Sequence, residues 1–112
     1  MKRNYKMFIE DILDSIKKVE SYIKDLQYTD FEGNDLVIDA VIRNLEIIGE
    51  AAKNVPEDMR LANPDVPWSR MIGLRNVTIH EYFGLDLSII WEIVSRNLPE
   101  TKKVIVKLLK KI

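Results

Sequence analysis

Two long segments of this chain carry apolar residues at alternating spacings of three and four, and this periodicity constrains the fold more than any other feature. In residues 5 to 26 the repeating positions are Tyr5, Ile9, Ile12, Ile16, Val19, Ile23 and Leu26. In the second segment they are Ile38, Val41, Leu45, Ile48, Ala52 and Val55. Such spacing places an apolar stripe along one face of an α-helix. The sequence therefore predicts two long amphipathic helices, the second capped by Asp35 and ended by Pro56.

Shorter helical patterns fill the rest of the chain. We expect a short helix and a loop over residues 57 to 67, a helix that opens at Trp68, and another that begins at Asp86 and contains Trp91. Pro99 either kinks that helix or starts a final, lysine-rich one. With only four glycines and four prolines in 112 residues, a turn-rich β fold is disfavoured. The prediction is one all-α domain over residues 1–112, an antiparallel bundle of four to five helices.

Composition excludes several classes of function. The chain has 17 basic and 18 acidic residues, a net charge of −1, so it does not coat nucleic acid by bulk attraction. Cysteine is absent and His80 is the sole histidine, which removes disulfides, thiolate zinc sites and a multi-histidine metal site within one chain. We expect no metal and no cofactor. The basic N-terminus is not followed by an apolar segment and no apolar run is long enough to span a membrane, so we expect no signal peptide and a cytoplasmic protein without membrane contact.

The second helix carries more apolar residues than one stripe needs, and Gly49 lies in its middle. A mid-helix glycine costs roughly 1 kcal/mol against alanine, which indicates a close approach to its backbone by a neighbouring helix or by a partner chain. A narrow polar line remains on this helix: Asp39, Arg43, Glu46, Glu50 and Lys53. This line is interpreted as a solvated face or as part of a polar site; a divalent ion on Glu46 and Glu50 is the weakest interpretation.

Residues 73 to 84 contain most of the side chains suited to catalysis: Arg75, Asn76, His80 and Tyr82. On a continuous helix, His80 lies about 140° around from Arg75, so the two side chains flank one groove. The guanidinium fork of arginine matches phosphate oxygens, and histidine transfers protons near neutral pH. RNA supplies its own 2′-OH nucleophile, so this set suits RNA cleavage without a metal. From spacing alone, an arginine and a histidine at a helix end are more often a helix cap, a salt bridge or a core hydrogen bond than a catalytic pair.

The string Arg75-Asn76-x-x-x-His80-x-Tyr82 resembles the R-x4-6-H motif of the HEPN superfamily, in the R-x4-H-x-Y form typical of HepT-type toxins of HepT/MntA toxin–antitoxin systems. Residues 41–52, 68–76 and 91–99 resemble the same family in the same order. The resemblance covers nearly the whole chain and implies a helical bundle that forms a homodimer, with the two motifs facing a shared cleft.

The resemblance also implies a function and roles for the motif residues. It implies a metal-independent endoribonuclease toxin acting on RNA, such as tRNA or mRNA, in which Arg75 binds the scissile phosphate and His80 is the general acid/base. Asn76 would orient these groups, and Tyr82 would receive AMP from a nucleotidyltransferase (MntA-like) antitoxin. The alternative is a non-catalytic module that binds a nucleotide or RNA and partners such a nucleotidyltransferase.

Overall fold

The apolar stripe of residues 5 to 26 forms helix α1 (Lys2–Ile23) in the computed structural model, which describes residues 2–80 and 87–112, with side chains over 5–76 and 87–112. Ile9, Ile12, Ile16 and Val19 are completely buried along this stripe. The helix ends three residues earlier than the apolar pattern because Asp25 adopts a φ of 63°, a left-handed conformation that aspartate tolerates better than most residues.

A short helix that the periodicity did not predict follows as α2 (Tyr28–Glu32). At five residues it is too short to show a repeat. The carboxylate of Asp30 accepts a hydrogen bond from the backbone N–H of Gln27 at 2.9 Å, which satisfies one of the donors at the helix start. Phe31 is completely buried and its ring centroid lies 5.2 Å from that of Trp91, so α2 is fixed to the C-terminal half of the chain.

The second amphipathic segment forms α3 (Asp35–Asn54), and its predicted apolar stripe is buried throughout. The predicted cap, Asp35, is wrong by one residue. Asn34 has an extended backbone and its side-chain oxygen accepts the N–H of Val37 at 3.1 Å, which is the hydrogen bond of an N-cap. The helix ends at Asn54, two residues before Pro56, as the sequence predicts.

Helix α3 is the centre of the fold, since it packs against α1 on one side and α5 on the other. This packing buries two of its additional apolar residues, Ile42 and Ala51, which are each only 6% exposed. The structure therefore assigns these two residues to packing within the chain.

The C-terminal half consists of short and medium helices, which are α4 (Glu57–Ala62), α5 (Trp68–His80), α6 (Leu87–Glu92), a π-helical turn (Ile93–Asn97) and α7 (Leu98–Lys111). The predicted cap Asp86 lies outside the described residues. In the π turn the N–H of Leu98 bonds to the carbonyl of Ile93. Pro99 lies in the first turn of α7, where its missing N–H and its ring are tolerated. Of the two predicted roles for Pro99, the structure shows the start of a final helix.

The all-α class predicted from the sequence is confirmed. The described residues contain seven α-helical segments and no strand; α1, α3, α5 and α7 are the long members of the bundle, and α2, α4 and α6 are pieces of five or six residues. None of the described helices has both the length and the apolar character that a membrane crossing requires.

Candidate active site

Gly49 brings the central helix into contact with the helix that carries the motif. A Cβ atom at position 49 would lie 2.8 Å from the backbone nitrogen of Arg75, 3.0 Å from its Cβ and 3.1 Å from the carbonyl oxygen of Met71. These distances are shorter than van der Waals contact allows. The close approach that the mid-helix glycine indicates is therefore made by α5 of the same chain, not by a partner.

Arg75 forms an ion pair with the residue that follows this glycine. Its Nε lies 2.9 Å from Oε2 of Glu50, and the two side chains are 40% and 53% exposed. At that exposure an ion pair contributes only about 0–1 kcal/mol to stability. A hydrogen bond to a charged acceptor nevertheless restricts the plane of the guanidinium group. The ion pair therefore orients the guanidinium group of Arg75 and adds little to the stability of the fold.

A surface cavity of about 290 Å³ lies next to this pair, between α1, α3 and α5. Its lining combines two arginines, three carboxylates, an amide and apolar surface, from Phe8, Asp11, Arg43, Glu46, Ile47, Glu50, Ala51, Asn54 and Arg75. Three members of the polar line on α3, Arg43, Glu46 and Glu50, thus belong to one concave site with Arg75. The interpretation of these three residues as part of a polar site fits the structure better than a purely convex, solvated face.

Of the other motif residues, the structure describes Asn76 and the backbone of His80. Helix α5 extends continuously from Trp68 to His80, so Arg75 and His80 share one helix, as the sequence predicts, about 7.5 Å apart along its axis. The side chain of His80 and the whole of Tyr82 lie outside the described part of the chain. Asn76 is exposed and does not line the cavity. Within the described ranges no group of three or more His, Cys, Asp or Glu residues has the geometry of a metal site.

A model of the family described as ribonuclease HepT-like matches residues 12–108. The chain belongs to the HepT-like ribonuclease family. Both the resemblance found in the motif and the predicted enzyme class, a ribonuclease, agree with this match. No solved structure gives a significant match.

Named relatives come from archaea and bacteria. A Methanocaldococcus jannaschii protein named "Putative RNase MJ1380" is 47% identical over 102 residues, which is 91% of this chain and 94% of that protein. A Thermococcus cleftensis protein named "Probable ribonuclease HepT" is 40% identical over 91% of this chain and 93% of its own length. A Caldanaerobacter subterraneus protein named "Putative RNase TTE0752" is 38% identical over 93% of both chains.

Sequence reasoning missed Glu50 as the partner of Arg75 in this HepT-like chain. The two residues are 25 positions apart on different helices, and no local spacing rule connects them. The neighbouring Gly49 does point to this contact, since a glycine in the middle of a helix indicates where another backbone approaches. The polar residue next to such a glycine is therefore a reasonable candidate for contact with the approaching helix.

Proposed function

We propose that this HepT-like protein is the toxin component of a toxin–antitoxin system, a metal-independent endoribonuclease that uses Arg75 and His80. The observation that supports this most is the position of Arg75. Its guanidinium is half-exposed, tied to Glu50, at the edge of a cavity and five residues before His80 on the same helix. Because an ion pair at this exposure contributes little to stability, stabilisation of the fold does not explain why Arg75 is held at the edge of the cavity.

In the proposed reaction the RNA provides the nucleophile. His80 takes the proton of a ribose 2′-OH, the 2′-oxygen attacks the adjacent phosphorus, and the bond from phosphorus to the 5′-oxygen breaks. The products are a 2′,3′-cyclic phosphate and a 5′-OH, the latter protonated by the partner subunit's histidine or by water. Arg75 stabilises the charge that develops on the phosphate oxygens. Asn76, adjacent to Arg75 on the exposed side of α5, helps to orient the substrate.

Cleavage of total tRNA and mRNA by the purified chain tests this proposal. We expect fragments that end in 2′,3′-cyclic phosphate and 5′-OH groups, formed at the same rate with and without EDTA, because each chemical step uses side chains and the RNA itself. Intact RNA at high enzyme concentration would contradict the proposal, and binding without cleavage would favour the non-catalytic module.

The proposed active form is a homodimer with two motifs facing one cleft. The reaction benefits from a base that takes the 2′-OH proton and from an acid that gives a proton to the leaving 5′-oxygen. Since each chain has one histidine, two chains together supply both groups. We expect light scattering at micromolar concentration to give a mass near twice the 13.1 kDa of one chain. A mass of one chain at that concentration would rule out the shared cleft.

The proposed neutralising partner is an MntA-like nucleotidyltransferase that transfers AMP to the hydroxyl of Tyr82. Adenylylation of a tyrosine that follows His80 by two positions in the sequence adds a negatively charged group, which repels RNA. Incubation with such a partner and ATP is expected to raise the mass of this chain by one or more adenylyl groups and to stop cleavage. The Tyr82→Phe variant should keep its mass and its activity; modification of that variant would contradict the assignment.

A further inference from the structure

The cavity beside Arg75 has a lining that phosphate binding alone does not explain. Asp11, Glu46 and Glu50 contribute three carboxylates to a space that Arg43 and Arg75 share. Carboxylates repel phosphate oxygens, so a site for phosphate alone would not contain three of them. They accept hydrogen bonds only, and the cavity therefore suits an uncharged group that carries N–H donors.

Two of the polar side chains are available for such a group. Arg43 and Glu46 are three residues apart on α3 and so lie on one face of it. Neither makes an ion pair or a side-chain hydrogen bond with any residue in the ranges 5–76 and 87–112, over which side chains are described. Glu50, by contrast, is engaged with Arg75. The cavity thus presents an arginine fork and a carboxylate side by side, with the phosphate-binding arginine of the proposed site at its edge.

We propose that this cavity binds the nucleobase of a nucleotide adjacent to the scissile phosphate and selects guanine. The inference rests on the proposed ribonuclease function and specifies its substrate. Guanine presents two adjacent donors, N1–H and the N2 amino group, which fit the two oxygens of one carboxylate. Its neighbouring edge presents the acceptors O6 and N7, which fit an arginine fork. No other RNA base carries two adjacent N–H donors on one edge, so none combines these two edges.

The remaining lining supports a base as the occupant. Phe8 is partly buried and offers an aromatic surface on which a base stacks, while Ile47 and Ala51 form apolar surface between the polar groups. Stacking of a base on an aromatic side chain does not depend on sequence, so the choice of base falls to the polar side chains of the lining, among which Arg43 and Glu46 share one face of α3. A volume of about 290 Å³ is at the small end of ligand cavities and fits one base, not several.

Cleavage of an RNA pool with randomised sequence tests the selection. We expect guanine to be enriched about ten- to hundredfold at one fixed position next to the cut, as a bidentate base contact predicts. The Glu46→Gln variant, whose amide cannot accept from both donors, should still cut the pool but with guanine enriched only a few-fold. Glu10→Gln removes an exposed carboxylate of α1 outside the cavity and should keep the full preference. Equal preference in wild type and Glu46→Gln, or no enrichment of guanine, would overturn the inference.

A binding measurement separates this inference from the proposed reaction. Equilibrium dialysis of the full chain with GMP and with IMP compares two ligands that differ by the N2 amino group alone. We expect GMP to bind about tenfold more tightly, the effect of one hydrogen bond to a charged acceptor, and Glu46→Gln to remove that difference. Equal affinity for GMP and IMP overturns the guanine site even when RNA is cut. A retained tenfold difference in a protein that cuts no RNA supports the guanine site and overturns the proposed reaction.

Discussion

Replacing His80 by alanine is expected to lower the rate of RNA cleavage about 10²- to 10⁴-fold, which is the usual contribution of a positioned general acid or base. His80 is the sole histidine, so no other imidazole of the same chain replaces it. The residue lies in the last turn of the described part of α5, and alanine has the highest helix propensity. The helical circular dichroism spectrum and the melting temperature should therefore stay close to those of the wild type.

The Arg75→Ala variant should lose a similar amount of activity for a different reason. Removing a charge that stabilises the transition state costs about 10²- to 10³-fold in comparable sites, whereas loss of the exposed pair with Glu50 costs at most about 1 kcal/mol of stability. Arg75→Lys keeps the charge but loses the planar fork, so its activity should fall between that of alanine and that of the wild type.

Arg96→Ala provides the matched control for these variants. Arg96 is 76% exposed and forms a surface ion pair with Glu92, and it does not line the cavity, so this variant should cut RNA at the wild-type rate. Single-turnover cleavage of a defined RNA, followed by gel electrophoresis, measures the four variants and the wild type. Residual cleavage within threefold of the wild type in His80→Ala would remove His80 from the proposed mechanism, and the same result in Arg75→Ala would remove Arg75.

The buried stripes of α1 and α3 could be predicted from the sequence because their information is local. Apolar residues spaced three and four apart share one helix face, and those predicted for α3, from Ile38 to Val55, are all at most 6% exposed. The helix that opens at Trp68 is also predicted, although its apolar residues do not form one stripe. These features do not depend on which other helix covers the stripe.

Contacts between helices could not be predicted, because no local spacing specifies them. The pair Arg75–Glu50 joins α5 to α3, and the contact of Phe31 with Trp91 joins α2 to the last third of the chain. Both depend on how the helices pack. The shift of the α3 cap from Asp35 to Asn34 has another cause: both residues are good caps, and the extended backbone of Asn34 decides between them.

Replacing Gly49 by alanine is expected to destabilise the fold and to misplace Arg75. The added methyl group would lie 2.8 Å from the backbone nitrogen of Arg75, and backbone cannot move aside as a flexible side chain does. Overpacking of this kind costs about 1–3 kcal/mol, more than the 0.5–1 kcal/mol that alanine gains over glycine in a helix. We expect a melting temperature lower by several degrees. Since a shift of about 1 Å in a positioning group costs on the order of 10²-fold in rate, RNA cleavage should fall even at temperatures where the variant is folded.

Gly73→Ala is the matched control, because the same change at this site is expected to raise the free energy of unfolding instead of lowering it. Gly73 is also inside a helix, α5, but a Cβ atom there meets no atom within 4 Å. The gain in helix propensity is then unopposed, so the variant should be about 0.5–1 kcal/mol more stable than the wild type. Thermal unfolding followed by circular dichroism measures both variants. If Gly49→Ala were as stable and as active as the wild type, the close packing of α3 on α5 would not be what positions Arg75; if both variants were destabilised alike, the cost would come from glycine replacement itself and not from the contact with Arg75.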